Sequence, residues 1–247
     1  MYKYEAERKF LEDISYKYND NITEVSKFVI ETYISKFRNY ITNGRGMELG
    51  CSYGYSTKLL SQLVDELVVI DGSNNMISNV ENMNLKNVKT CCCLFEEINE
   101  DEQYDYIFAN YVLEHVLDPQ AVLIKCRKIL KKDGVLFITV PNATALSRTI
   151  AKEMEIVDDL YNLTINDQRH GHRRVYDKVK ISKEVEDAGF EIIDIDGLYI
   201  KPLSDYQLNI MIKEDIINKK YLQSLACLSK KYIELCGSIC LVVKVNK

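Results

Sequence analysis

The chain has 247 residues, 47% of them hydrophobic and 28% charged, with 10 Gly and 3 Pro, which excludes the collagen-like and disordered classes. A chain of this length can bury roughly 70–75% of its unfolded surface, so it needs no disulfide or metal staple to hold a core. Its net charge of -5, from 32 Lys+Arg against 37 Asp+Glu, argues against a general nucleic-acid footprint.

Residues 1–42 read as helical. Phe10, Leu11, Ile14 and Tyr18 recur at helical spacing, as do Ile22, Val25, Phe28, Val29, Tyr33 and Phe37, with a break at Asp20-Asn21. From Gly46 a different rhythm begins. Strands are predicted at Met47–Leu49, Leu67–Ile70, Val88–Cys93, Tyr104–Ala109 and Val135–Val140, with helices near 55–64 and 75–82 between them. A further helix starts where Asp118 can cap it and Pro119 suits its first position. Val122, Leu123, Cys126, Ile129 and Leu130 form its buried stripe, Lys131 and Lys132 its basic end, and Gly134 the turn that follows. Beyond a polar, mixed stretch at 142–176, a helix is expected at Asp177–Ala188, stopped by Gly189. A strand at Phe190–Ile195, a helical stretch over 203–232 and a last strand at Ser238–Val245 complete the chain. Strands alternating with crossover helices imply a parallel sheet covered on both faces, within one domain.

The charged start lacks the apolar centre of a signal peptide, and no apolar run approaches the ~20 residues of a membrane span. Eight Cys without a secretory signal point to reduced thiols in the cytoplasm. Cys91, Cys92 and Cys93 alternate between the faces of a strand and make a poor chelate. The cysteines are expected to be small buried apolar residues.

In open α/β sheets, ligands bind outside the carboxyl ends of the strands. The first such turn reads Glu48-Leu49-Gly50-Cys51-Ser52-Tyr53-Gly54-Tyr55, and Gly50 and Gly54 allow the backbone to approach a ligand closely. The second strand ends at Asp71, 23 residues after Glu48, a spacing that suits a carboxylate taking both hydroxyls of a ribose. A nicotinamide-dependent oxidoreductase is the competing enzyme, but its pyrophosphate calls for G-x-G-x-x-G. Here an acid precedes two glycines four apart, an arrangement that repels a pyrophosphate and suits a sulfonium amino-acid nucleoside.

Four blocks in order, GMELGCSYGYSTKLL (46–60), VVIDGSNNMI (68–77), YDYIFANYVLEHVLDP (104–119) and ILKKDGVLFITVPN (129–142), resemble the class I S-adenosylmethionine-dependent methyltransferases. The resemblance is to the small-molecule branch that includes ubiquinone-type and sugar methyltransferases, and it covers roughly 44–200 and the final strand. It implies a Rossmann-like, doubly wound seven-stranded sheet with the last strand antiparallel. A single methyltransferase domain over 1–247 is expected, with an N-terminal helical cap at 1–43 and a cofactor-binding core at 44–141. The inserts at 142–176 and 203–232 would form an acceptor pocket or lid.

By the same resemblance, Glu48, Gly50, Cys51, Ser52, Tyr53 and Gly54 would hold the methionine part of S-adenosylmethionine, mainly through their backbone. Asp71 would take the ribose hydroxyls, Gly72, Ser73 and Met76 would lie under the adenosine, and Asn110 would approach the methionine part. Two positions depart from the pattern. Ser52 stands at the middle glycine of G-x-G-x-G, and Leu94 fills the slot of an aspartate that meets the adenine amino group. Backbone N–H groups near Leu94 and Phe95 are then the expected adenine contacts.

A hydroxyl acceptor also needs a proton acceptor. The chain has three His, and all are candidates: His115 after the fourth strand, and His170 and His172 in the segment Arg169–Tyr176. A His-x-His could bind a metal with Glu114 or Asp167, but the carboxylate-rich ligand pattern is not apparent and no metal is expected. Arg169, Arg173 and Arg174 either hold a phosphate, as in a nucleotide-linked sugar or surface-polysaccharide precursor, or make surface ion pairs. Tyr2, Tyr4, Tyr16 and Tyr18 either close over the cofactor or pack as ordinary helix residues. Leu208, Met211, Ile212, Ile216 and Ile217 form an apolar face to be covered by the chain itself or by a second copy in a homodimer. The expected activity is methyl transfer from S-adenosylmethionine to a hydroxyl or amine of a small molecule, with no nucleic-acid partner. Its alternatives are the oxidoreductase and a catalytically inactive cofactor-binding subunit.

Overall fold

The structure, a computed structural model, describes residues 2–16 and 22–246; the predicted break at Asp20-Asn21 and the helical position of Tyr18 lie outside them. One sheet organises the chain. Its strands are β1 (Arg45–Leu49), β2 (Glu66–Asp71), β3 (Val88–Cys92), β4 (Tyr104–Asn110), β5 (Leu130–Pro141), β6 (Phe190–Gly197) and β7 (Ser238–Val245). They lie side by side in the order β3-β2-β1-β4-β5-β7-β6. The first five in chain order pair in parallel, and β7 runs antiparallel between β5 and β6. This is the doubly wound seven-stranded sheet, with its last strand antiparallel, that the resemblance implied. The chain winds outward from β1 in both directions, so the crevice for a ligand opens above the carboxyl ends of β1 and β4.

The helices are α1 (Tyr2–Ser15), α2 (Glu24–Phe37), α3 (Tyr55–Leu60), α4 (Asn74–Glu81), α5 (Pro119–Ile129), α6 (Leu146–Glu153), α7 (Ile165–Arg169), α8 (Lys178–Asp187), α9 (Asp205–Lys213) and α10 (Lys219–Cys227). Asp118 caps α5 by accepting from Ala121 N at 3.0 Å, and Pro119 occupies its first turn, where the missing N–H costs nothing. Asp177 caps α8 in the same way, from Lys180 N at 2.6 Å. The basic end expected for α5 is corrected by the structure. β5 already pairs Leu130 with Tyr104, so Lys131, Lys132 and Gly134 are strand residues. Lys131 instead holds both oxygens of Asp105 at 2.9 Å.

Because side chains alternate along a strand, neighbouring residues feed two separate cores. Met47, Leu49, Ile107, Leu136 and Ile138 pack with α5 and α8 on one face. Leu67, Val69, Phe108 and Phe137 pack on the other with Phe28, Tyr33 and Phe37 of α2. Phe137 is the hub of that layer, with ring centroids 4.5 Å from Phe37 and 5.1 Å from Phe108. Each such ring, fully buried, contributes about 1.5–3 kcal/mol.

α9 lies against α2, with Leu208 buried and Val25 N donating to Asn209 Oδ1 at 3.2 Å. Ile212 and Ile217 join the same core, while Ile216 faces solvent. The chain thus covers most of that apolar face itself. The cysteines are also corrected: all eight are free thiols, but Cys91 and Cys227 are exposed and Cys92 and Cys93 only half-buried. For Cys91 and Cys92 the reason is position, since β3 is the edge strand of the sheet among the described residues, whereas Cys227 ends α10.

Candidate active site

A cavity of about 520 Å³ sits above the carboxyl ends of β1, β2 and β4. Its floor starts at the glycine turn after β1. Gly50 and Gly54 have φ of 72° and 78°, in the left-handed region that favours glycine. Ser52 adopts φ 46° without being glycine, so the middle position of the turn keeps a left-handed backbone in spite of its side chain. Gly50 and Ser52 line the cavity.

Two carboxylates fix that turn. Glu48 is buried beneath it, where Ser56 Oγ donates to Oε1 and Thr57 Oγ1 to Oε2, each at 2.5 Å. Burial outweighs these donors and pushes the Glu48 carboxyl up to about 7. Asp71, at the end of β2, accepts from Cys51 N at 3.0 Å on one oxygen and from Ser73 N at 2.9 Å on the other. Burial raises its pKa against those two amides. One carboxylate therefore ties the turn after β1 to the turn after β2, and it does so on the cavity wall.

α1 forms a roof. Phe10, Leu11 and Ile14 point into the cavity, opposite Gly72 and Met76. The helix is moored at several points. Glu12 accepts from Ser73 Oγ at 2.7 Å, Asn75 Nδ2 donates to Ser15 Oγ at 3.1 Å, and Arg8 pairs with Glu97. The Arg173 guanidinium grips both oxygens of Glu7 at 3.0 and 2.9 Å and lies 4.6 Å from the centre of the Phe10 ring.

The far wall carries all three histidines. His115, His170 and His172 line the cavity together with Asn166 and Asp167 of α7. The rings of His115 and His172 meet edge-on with centroids 4.7 Å apart. Backbone pairing of Arg173 N to Glu114 O at 2.8 Å brings the insert after β5 onto the turn after β4, which is how residues 58 apart in sequence converge. Burial, then the neighbouring His172, pushes the His115 imidazole down to about 3, so the ring is neutral at physiological pH. His172 Nδ1 lies 3.3 Å from Asp167 Oδ1. Burial opposes ionisation of Asp167, but the nearby His172 ring and hydrogen bonds from Thr164 and Arg148 hold it well below the usual carboxylate range.

Behind the rings lies Glu114, fully buried, its two carboxylate oxygens without a hydrogen-bond partner among the described residues. Burial pushes its carboxyl up to about 7, against the pull of His172. Ligand atoms of Glu114, His115 and His172 all fall within 4.8 Å of one another. One carboxylate and two imidazoles, with both oxygens unsatisfied, is a donor set that fits a divalent cation. The sequence had suggested Glu114 with both histidines of the His-x-His; the structure instead groups Glu114 with His115 and His172.

Residues 10–195 match the family described as a methyltransferase domain. The chain belongs to this family, as a class I S-adenosylmethionine-dependent methyltransferase. Among curated relatives, the mitochondrial ubiquinone biosynthesis O-methyltransferase of Bos taurus is 26% identical over 168 residues, which cover 65% of this chain and 45% of that protein. The ubiquinone biosynthesis O-methyltransferase of Pasteurella multocida (strain Pm70) is 22% identical over 188 residues, covering 70% and 76%. The methyltransferase therefore spans less than half the length of the bovine relative. Among solved structures, the DhpI–SAH complex superposes with a TM-score of 0.63 at 15% identity, covering 98% of this chain and 96% of that one. An S-adenosylmethionine-dependent methyltransferase from Clostridium acetobutylicum ATCC 824 gives a TM-score of 0.57 at 16% identity, covering 90% and 92%. These likenesses are of fold.

In the methyltransferase the cavity brings together Gly50, Cys51, Ser52, Asp71, Gly72, Ser73, Met76, Leu94, Phe95 and Asn110, all expected at the cofactor. Glu48, Tyr53 and Gly54 do not line it; Glu48 acts on the turn from below. The Leu94 amide, expected to face adenine, is instead taken by Glu97 Oε2 at 2.9 Å. Asn110 accepts from Thr139 Oγ1 at 2.7 Å, leaving its Nδ2 without a hydrogen-bond partner among the described residues. The arginines weighed for a phosphate or for ion pairs are mostly committed elsewhere. Besides holding Glu7, Arg173 donates to His115 O at 2.6 Å, and Arg174 donates to the carbonyls of Leu113, Val116 and Leu117. Of the tyrosines weighed as either a lid or ordinary helix residues, Tyr4 and Tyr16 are exposed and do not line the cavity. The roof comes from the apolar stripe of α1, a helical period legible in the sequence, where it was assigned only to an N-terminal cap.

Proposed function

We propose that the methyltransferase acts in the cytoplasm on a hydroxyl of a small, largely apolar molecule, with the cofactor lying between the glycine turn and Asp71. The observation that carries this reading is the group of His115, His172 and Glu114 on the wall across from the glycine turn. When bound, S-adenosylmethionine supplies the electrophilic methyl carbon. The chain's part is to hold a hydroxyl oxygen in line with it and to receive the proton that the oxygen sheds. His115 is neutral but too weak a base to keep the proton, whereas Glu114 titrates near the operating range, so the carboxylate, 4.0 Å behind His115 Nε2, is the group on which the proton comes to rest. Val25, Val29, Ile30 and Tyr33 of α2, with Tyr111 and Tyr199, surround the rest of the space. That lining suits an apolar or aromatic acceptor better than a nucleotide-linked sugar, for which the committed arginines supply little. The named relatives act in ubiquinone biosynthesis, which agrees with a hydroxyl on such a molecule.

A second reading is favoured by the unpartnered Glu114 oxygens: Glu114, His115 and His172 hold a divalent cation that binds the acceptor oxygen. Both readings are tested by following demethylated cofactor formation with phenols, catechols, amines and nucleotide sugars, with and without chelator. Turnover of hydroxylated aromatics supports the proposal. Turnover restricted to amines or nucleotide sugars overturns it, and cofactor binding without turnover across the whole panel supports an inactive cofactor-binding subunit.

A further inference from the structure

We propose that Cys91 and Cys93 are a modification site, closing into a reversible disulfide that weakens cofactor binding at the adenosine end of the cavity. This inference rests on the assignment of the Asp71–Leu94 end of the cavity to the nucleoside.

Alternate residues of a strand share a face, and the Sγ atoms of Cys91 and Cys93 lie 3.6 Å apart. Closing to an S–S bond of about 2.05 Å calls for about 1.5 Å of movement. Cys92 points the other way and packs in the opposite core layer. Sequence reasoning, which treated the three cysteines as one poor chelate, missed the pair that the pleat creates. Cys91 is exposed on the edge strand, so a small oxidant reaches it. Cys93 lines the cavity, and its amide donates to Asp71 O at 3.1 Å, with Leu94 next on the wall.

Residues two apart on an extended strand have Cα atoms about 6.6 Å apart, near the top of the roughly 4.4–6.8 Å that a disulfide spans. The backbone can thus host the bond, and the movement that closes the 3.6 Å sulfur gap draws Cys93 and Leu94 away from their place beside Asp71. The order of attack follows from the surroundings. Burial, then the adjacent Cys91, pushes the Cys93 thiol up to about 12, so the exposed Cys91 is the entering nucleophile. Its thiolate attacks a small disulfide such as oxidised glutathione, forming a mixed disulfide and releasing one glutathione thiolate. Cys93 then gives up its proton and attacks the Cys91 sulfur, releasing the second glutathione. Two protein thiols are oxidised, and one glutathione disulfide is reduced to two thiols.

The test treats the whole chain with oxidised glutathione, blocks remaining thiols and weighs the tryptic peptide 90–125. Wild type and Cys92→Ala should lose two hydrogens and resist blocking at two thiols, whereas Cys91→Ala should not. Titration calorimetry with S-adenosylhomocysteine should then show affinity about tenfold weaker in the oxidised protein, equivalent to ~1.4 kcal/mol, restored by dithiothreitol and insensitive to oxidant in Cys91→Ala. A peptide that stays reduced, stays glutathionylated or closes through Cys92 overturns the disulfide. A disulfide that leaves affinity unchanged overturns its effect on the cavity. Reduced protein that binds no S-adenosylhomocysteine overturns the nucleoside assignment and the gating with it, while the peptide mass still decides the disulfide.

Discussion

Replacing Asp71 with Asn tests the centre of the cofactor assignment, because the change keeps the shape and removes one acceptor oxygen. In the wild type both oxygens are used, one by the Cys51 amide and one by the Ser73 amide. Asn can satisfy only one of them and turns an NH2 group toward the other. A hydrogen bond to a charged group is worth about 1.5–3 kcal/mol, so the joint between the two turns should lose roughly one such contribution. A ribose diol seated on the same carboxylate loses another of similar size, which predicts S-adenosylhomocysteine binding about 10–150-fold weaker. Calorimetry measures the affinity, and urea melts of the ligand-free variant confirm that it folds. Cys51→Ala is the control, since it keeps the amide and discards only the thiol contact; its affinity should stay within about threefold of wild type. A folded Asp71→Asn protein that binds the nucleoside as tightly as wild type would refute the ribose role of Asp71.

Glu48 should give stability an inverted pH dependence. Its folded pKa near 7 lies above the ordinary 4.5, so the unfolded chain releases the proton first and stability falls as pH rises between those values. The share is on the order of 3 kcal/mol. Urea melts of Glu48→Gln from acid to neutral pH should lose that share of the slope, and equal slopes in the two proteins would count against it. Arg173→Ala removes the Glu7 clamp, the Phe10 contact and the bond to His115 O, so hydrogen exchange in α1 should quicken while that in β4 and β5 does not. Arg173→Lys should rescue it only partly, because an ammonium cannot reproduce the planar fork; unchanged protection of α1 in the alanine variant would contradict the mooring. Glu114→Gln should lower turnover at least about tenfold with little change in S-adenosylhomocysteine affinity. Dialysis against chelator then separates the two readings of that carboxylate: a proton relay keeps its turnover, whereas a cation site loses it and regains it with added metal.

Period and punctuation were legible in the sequence. The strand alternation announced a parallel sheet covered on both faces, the four resembling blocks its doubly wound form, Asp118-Pro119 marked the start of α5, and Asp71 was placed by its position at the end of β2. Convergence across distance was less legible. The three histidines were suspected of serving one pocket, but Glu114 was weighed as a ligand only beside His170 and His172, because nothing local shows that Arg173–Tyr176 folds back onto its backbone. The arginines failed as a phosphate site for the same reason: their partners are carbonyls, which no side-chain pattern announces. Lys131 was misplaced because helix and strand meet there without a breaker, and the pairing of Leu130 with Tyr104 decides the boundary. The roof over the cavity was visible as a stripe, but a stripe does not say whether it covers core or ligand.

The glycine turn is tied down from two sides without any ligand's help: from below by Glu48 through Ser56 and Thr57, and from the side by Asp71 through Cys51. A loop held in this way has little disorder left to surrender when a guest arrives, so entropy lost in ordering it takes little from the affinity. Discrimination between the methylated and demethylated nucleosides must then arise from contacts to the sulfur and its substituent, not from reshaping of the loop that cradles them.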